Sequence, residues 1–158
     1  MRTPYETLKD TVLFSGLSWE QCRGLVERSS LIKMRDGDVV IHKGTVDDDS
    51  MWVILEGGVE VCVGDTTIAT YGEGSYIGEL ALLTGSDTPR SADVKAIAAT
   101  TLMRVERDDL LSLVRDDPGT ALAIMAELAR RLRHTTSLLA GRAERAEVVD
   151  SLGPIEAG

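Results

Sequence analysis

The chain has 158 residues, and 17 Lys and Arg against 26 Asp and Glu leave a formal charge of −9. With 43% apolar and 27% charged residues it has the balance of a globular domain, large enough to bury a core without a disulfide or metal staple. The acidity excludes electrostatic capture of nucleic acid or of an anionic membrane as the default role, but leaves room for a local anion site. No run approaches the ~18 apolar residues of a membrane span, and the start MRTPYETLKD lacks a signal-peptide core. Cys22 and Cys62 stand alone, which excludes a disulfide framework or zinc ribbon on spacing. The expected location is cytoplasmic.

Residues 1–30 read as a helical segment. Ser18-Trp19-Glu20-Gln21 fits a capping box, Leu17 and Cys22 sit where a hydrophobic staple would, and Leu25 and Val26 continue the apolar face.

Residues 31–105 change character. Short β-type runs recur over Leu31–Met34, Val39–Ile41, Met51–Leu55, Val59–Val63, Thr66–Tyr71, Ala92–Ala96 and Thr101–Val105. Turn residues punctuate them at Arg35-Asp36-Gly37-Asp38, Glu56-Gly57-Gly58 and Gly64-Asp65. Val59, Val61 and Val63 alternate with Glu60 and Cys62, which predicts a strand with the valines on its buried face. Many short strands joined by tight turns indicate a sandwich or barrel rather than a parallel α/β sheet. Within this region Asp47-Asp48-Asp49 lacks the spacing and distal Glu of a calcium loop and reads as a solvated turn.

Residues 106–149 are helical again. Asp108 to Val114 form a short amphipathic helix, and Asp117-Pro118 supplies an N-cap and a first-position proline for a second one. That helix runs to about Val149, roughly 30 residues and about 45 Å long. Leu122, Met125, Ala129, Leu132, Thr136, Leu139, Ala143 and Ala146 recur at steps of three and four, the seam of a coiled coil. A parallel homodimer through residues 119–149 is the expectation, against a helix that faces the core of a monomer. Glu127 and Arg131 read as a solvated i, i+4 pair, and Arg130, Arg131 and Arg133 as a small basic patch. Residues 150–158 read as a tail.

The segment from Gly74 to Val94 carries the chemistry. It reads as a strand end, Gly78, one helical turn around Ala81 to Leu83, a loop, and Arg90 opening the next strand. A helix start after a glycine offers free backbone N–H groups to a phosphate, and a returning Arg adds a guanidinium with Ser91 beside it. Glu79 fits that setting only as an acceptor from sugar hydroxyls or as a mate for Arg. Read alone, Arg90 is a surface ion-pair residue, with Asp87 or Asp93 as the candidate mates. His42 and His134 share no candidate co-ligands, and no nucleophile arrangement points to catalysis, so neither a metal, a cofactor nor an enzyme is expected.

Gly78-Glu79-Leu80-Ala81-Leu82-Leu83, with Pro89-Arg90-Ser91-Ala92 following, resembles the phosphate-binding cassette of cyclic nucleotide-binding domains. The resemblance spans roughly Phe14 to Val148 and is nearest to the effector domain of the bacterial catabolite activator (CRP/FNR-like) family. It implies a mainly β fold with flanking helices: a jelly-roll β-roll over 31–105, with the cassette at 78–92, N-terminal helices and a long C-terminal dimerisation helix. It implies that Arg90 binds a cyclic phosphate with Ser91 and the Ala81 N–H, and that Glu79 and the Gly78 backbone take the ribose 2′-hydroxyl. It further implies that Thr135 meets the purine of its own subunit and Thr136 that of the partner, with Val61, Ile77 and Leu80 lining the pocket. Two features depart from the family: the length of the Thr84–Thr88 loop, and the end at Gly158 where the bacterial activators continue into a helix-turn-helix domain.

The function expected is a cyclic nucleotide sensor, with cAMP ahead of cGMP, that signals to an unidentified downstream protein by repositioning its last helix. The alternatives are a dimerising interaction scaffold with a vestigial pocket or another ligand, and the effector part of a DNA-binding regulator without its reader domain.

Overall fold

The computed structural model describes residues 2–46, 48–78 and 89–152. Two N-terminal helices, α1 (Pro4–Asp10) and α2 (Trp19–Arg28), precede eight strands: β1 (Ser30–Met34), β2 (Val39–Ile41), β3 (Met51–Glu56), β4 (Gly58–Val63), β5 (Thr66–Gly72), β6 (Tyr76–Ile77), β7 (Asp93–Ala96) and β8 (Thr100–Val105). Helices α3 (Arg107–Asp116) and α4 (Pro118–Leu152) follow.

Local chemistry accounts for the boundaries. The capping box at Ser18 forms, with the Gln21 N–H donating to Ser18 Oγ at 3.1 Å and the Ser18 N–H donating to Gln21 Oε1 at 2.9 Å. A second capping box, at Thr3 and Glu6, starts α1. Asp117 Oδ1 accepts from the Gly119 N–H at 3.1 Å and so caps α4 ahead of Pro118. Gly64-Asp65 closes a two-residue hairpin between β4 and β5, with Val63 opposite Thr66 and Gly64 at φ +61°. Gly57, at φ +86°, has no alternative, because a Cβ there would stand 2.5 Å from Ala99 O and Thr100 Oγ1.

The strands form two antiparallel four-stranded sheets, ordered β1-β8-β3-β6 and β2-β7-β4-β5. Neighbours in space are mostly distant in sequence, as the jelly-roll expectation required. The first sheet is a middle layer. Its outward residues Met51, Val53, Tyr76, Met103 and Val105 pack with Leu8, Phe14, Leu17, Leu25, Leu110 and Ile124 from the helices. Its inward residues Trp52, Ile54, Ile77 and Leu102 pack with Ile41, Val59 and Val94 between the sheets. Burial on both faces is why Met51 to Ile54 form an unbroken apolar run where a one-sided strand would alternate.

One strand departs from its sequence pattern. Val59 is buried and Val61 packs between the sheets, but Val63 is exposed, and Cys62, of the opposite parity, is buried beside Thr67. The β4–β5 register shifts there because β5 carries one extra residue, Ile68, whereas β4 keeps an unbroken register with β7 from Val59 to Cys62. β4 itself therefore alternates regularly, and Val63 is exposed as its last residue, beside the Gly64-Asp65 turn.

Helix α4 docks on the roll through Thr120, Ile124, Glu127, Leu128 and Arg131, a different stripe from the seam. Leu122, Met125, Leu132 and Leu139 of the seam are exposed. The side chain of Ala146 and the tail from Gly153 lie outside the described residues. No helix among the described residues is long and apolar enough to cross a membrane.

Candidate functional site

Arg90 sits at the end of the roll where the β2–β3 loop, β6 and the approach to β7 meet. Its backbone is stitched to that loop: the Arg90 N–H donates to Thr45 O at 2.9 Å, and Arg90 O accepts from the Gly44 N–H at 2.8 Å. The side chain then turns inward and is buried, 5% exposed. Nη1 donates to Gly78 O at 3.3 Å and Nη2 donates to Ser50 O at 2.7 Å.

Two of the predicted ligand residues, Gly78 and Arg90, are therefore in direct contact. Gly78 is obligatory there. Its φ is +82°, and a Cβ would press on Ser50 O at 3.0 Å and on Arg90 Nη1 at 3.1 Å. Beside it, Ile77 is buried between the sheets and Val61 packs against the same cluster. Ser91 follows Arg90 at an exposed position. Glu79, Leu80 and Ala81, with the Thr84–Thr88 loop, lie outside the described residues.

Of the two candidate mates of Arg90, Asp87 lies outside the described residues, and Asp93 Oδ1 instead accepts from the Lys43 N–H at 2.7 Å. Among the described residues its carboxylate is Asp48, 3.1 Å from Nη2. The Asp47–Asp49 cluster, read from sequence as a solvated turn, thus sends one member into the site. Ser50 donates to Asp48 Oδ1 through its hydroxyl at 2.7 Å and its N–H at 3.3 Å. Burial alone would raise the Asp48 carboxyl, but the bonds from Ser50 and the charge of Arg90 override it and hold the group below the usual aspartate value.

A second cation shares that carboxylate. Arg104, inward-facing on β8, places Nη2 3.6 Å from Asp48 Oδ1 and donates from Nε to Ser50 Oγ at 2.8 Å. It also lies 3.3 Å from Glu106 Oε1 and stacks 5.5 Å over the Trp52 ring. Two buried donors in this region, Arg90 Nε and Trp52 Nε1, have no hydrogen-bond partner among the described residues. A buried guanidinium with an open donor is suited to accept an anion.

The third arginine comes from α4. The Arg131 guanidinium lies 4.0 Å from the Tyr76 ring centre and 5.1 Å from that of Tyr71, and donates to Tyr76 O at 3.4 Å. Glu127 Oε1 is 3.6 Å from its Nε and accepts from Arg130 at 2.6 Å. Glu127 is only 5% exposed, so this is no solvated pair: it is the polar core of the helix–roll contact. The Arg130 bond, and the charges of both arginines, pull its carboxyl below the usual glutamate value despite burial. Two of the three arginines read as a basic patch, Arg130 and Arg131, are thus paired with Glu127. Thr135 and Thr136, farther along α4, are exposed, and the Thr135 hydroxyl donates to Arg131 O at 3.0 Å.

Sequence reasoning missed Asp48, Trp52, Arg104 and Arg131 as members of this region. Arg131 stands four positions before Thr135, the helical spacing that would have placed it on the same face. The other three carry no local signal.

The sequence pattern of the cyclic nucleotide-binding domain family matches residues 31–117, which include the whole roll and Arg90. The chain belongs to that family. It is 34% identical over 102 residues to the cAMP-dependent protein kinase type II regulatory subunit of Drosophila melanogaster, a match covering 65% of this chain and 26% of that protein. Among solved structures, the catabolite activator protein of Thermus thermophilus aligns with a TM-score of 0.72 at 28% identity, covering 84% of this chain and 63% of that one. The N-terminal domain of a transcriptional regulator from Streptomyces coelicolor aligns with a TM-score of 0.64 at 30% identity, covering 83% and 95%. The match thus spans about a quarter of the kinase subunit and most of the N-terminal domain of that Streptomyces regulator. The resemblance expected from the cassette holds, and with it the jelly-roll fold.

Proposed function

We propose that this domain is a non-catalytic cAMP sensor whose bound phosphate sits on Arg90 and whose output is a change in the position of α4. The carrying observation is the buried Arg90 guanidinium, in contact with Gly78 and with its Nε open. The cAMP choice draws on the regulatory subunit it resembles, which is named as cAMP-dependent.

In this reading Arg90 captures the cyclic phosphate, aided by Ser91 and the Ala81 N–H. Glu79 and the Gly78 backbone take the ribose hydroxyl, and Val61, Ile77 and Leu80 line the sugar and base. Thr135 and Thr136 meet the purine, which requires Thr135 to exchange its bond to Arg131 O for one to the base. The route to α4 is short. Gly78 follows directly on Ile77 and Tyr76, and Tyr76 is where Arg131 docks. A ligand seated at Gly78 therefore adjoins the strand that holds the helix, and shifts it in proportion to its differential affinity for the two helix positions.

The exposed seam of Leu122, Met125, Leu132 and Leu139 supports pairing of two α4 helices in a homodimer, since an apolar stripe of that length is costly in water. A cytoplasmic site of action, with output to a second protein, completes the proposal. Calorimetric titration of the purified protein tests it. Saturable binding of cAMP, tighter than that of cGMP, is the expected result; tighter cGMP overturns the base assignment, and no binding of either overturns the sensor.

A further inference from the structure

Asp48 presents a difficulty for any anion arriving at Arg90. Its Oδ1 is 3.1 Å from Arg90 Nη2, so a ligand phosphate on that guanidinium comes within contact range of a carboxylate held in its ionised form. Two like charges in a half-dry site repel strongly, and the carboxylate must move or be neutralised elsewhere. The structure provides the destination. The same Oδ1 is already 3.6 Å from Arg104 Nη2, and the Ser50 hydroxyl that donates to it also accepts from Arg104 Nε. Asp48 thus stands between two arginines with a hydroxyl hinge beside it. A small rotation transfers it from one to the other without exposing an unpaired charge. Arg104 can take it because its other contacts, the Trp52 ring and Glu106, lie on β3 and at the N-cap of α3 rather than at Arg90.

We propose that Asp48 fills the anion seat on Arg90 when no ligand is bound, and that Arg104 is the positioning residue that receives it when a phosphate enters. The proposal rests on the reading of Arg90 as the phosphate-binding group. Arg104 touches no ligand in this scheme: it sets affinity by holding the competing carboxylate aside. Occupancy is also carried outward, since Glu106 is the N-cap residue of α3 and bonds the arginine that Asp48 approaches.

The test is a double-mutant cycle read as cAMP affinity by calorimetry on the full chain. Asp48→Asn removes the competing charge and is expected to tighten binding about tenfold, within the usual span of coupling between sites. Arg104→Gln is expected to weaken it about fivefold, and Arg104→Lys, which keeps a cation for Asp48, to restore most of that loss. In the Asp48→Asn background Arg104→Gln should have no further effect. An Arg104→Gln loss that persists there makes Arg104 a direct ligand contact and overturns the proposal, as does an Asp48→Asn protein that binds no tighter than wild type. Silence of both overturns the sensor reading and this one together. Should Asp48→Asn fail to fold, Asp48→Ser removes the same charge with a smaller side chain.

Discussion

Arg90 and Arg131 bond carbonyls two residues apart, just after and within the two-residue strand β6, each with a carboxylate, and they do different work. Arg90 comes from the strand side, bonds the carbonyl of Gly78, and takes its carboxylate from a loop. That carboxylate is shared with Arg104, and one guanidinium donor, Nε, has no partner among the described residues. Arg131 comes from α4 and bonds the carbonyl of Tyr76, two residues earlier. Its carboxylate, Glu127, lies one turn back on the same helix, and its guanidinium faces are covered by Tyr71 and Tyr76. The same ion-pair chemistry thus gives an exchangeable anion seat in one place and a dock in the other. The difference lies in what surrounds the pair: an open donor and a rival arginine make it replaceable, whereas stacked aromatic rings and a helix-borne acid make it permanent.

The largest effect that would break this comparison is on binding. Arg90→Ala should cost cAMP affinity about 100-fold or more, because it removes charge-assisted bonds worth roughly 1.5–3 kcal/mol each and 1.4 kcal/mol is tenfold. Helical content by circular dichroism should be unchanged, since α4 is held by Arg131. A titration in which Arg90→Ala binds as wild type does would end the distinction.

Glu127→Ala is the counterpart. It leaves Arg130 and Arg131 without their buried acid, and should destabilise the fold by about 2 kcal/mol. Thermal unfolding should then shift down by about 4–8 °C for a chain of this size. Its effect on cAMP affinity should be well below that of Arg90→Ala. If affinity fell as far while the melting temperature held, Glu127 would belong to the ligand site rather than the dock.

The smallest effect is a pH dependence common to both pairs. Asp48 and Glu127 are each held below their ordinary values of 3.8 and 4.5. A depressed carboxyl contributes stability that is fully present above its unfolded value and lost as pH falls through the lower, folded one. Urea midpoints should therefore be flat from neutral pH down to the ordinary carboxylate range and decline below it. Glu127→Gln should flatten that decline more than Asp48→Asn, since Glu127 is the more buried acid. The reverse order would mean that the loop pair, not the helix pair, anchors the structure.

Much of the fold was legible in the sequence, because its signals are local. The capping box at Ser18, the hairpin at Gly64-Asp65 and the Asp117-Pro118 start of α4 are each written within a few residues, and each formed as read. So was the cassette, whose contiguous residues identified the family. The exposure of Val63 escaped because an alternating pattern does not say where a strand leaves the core, and Val63 is the last residue of β4, next to the hairpin turn. Glu127 and Arg131 were placed correctly as an i, i+4 pair, but nothing in that spacing says whether the pair meets water or a tyrosine.

What the sequence determined by itself was the family, most of the strands and helices, and a cassette pattern that singled out Arg90 in an acidic chain of net charge −9. What only the tertiary structure decided was the company that arginine keeps. Ser50 reaches Arg90 across 40 positions, Arg104 reaches Ser50 across 54, and Arg131 reaches Tyr76 across 55. Such contacts arise when two sheets of interleaved strands close on one another, and no short-range pattern of residue types encodes which distant charges that closure will bring together.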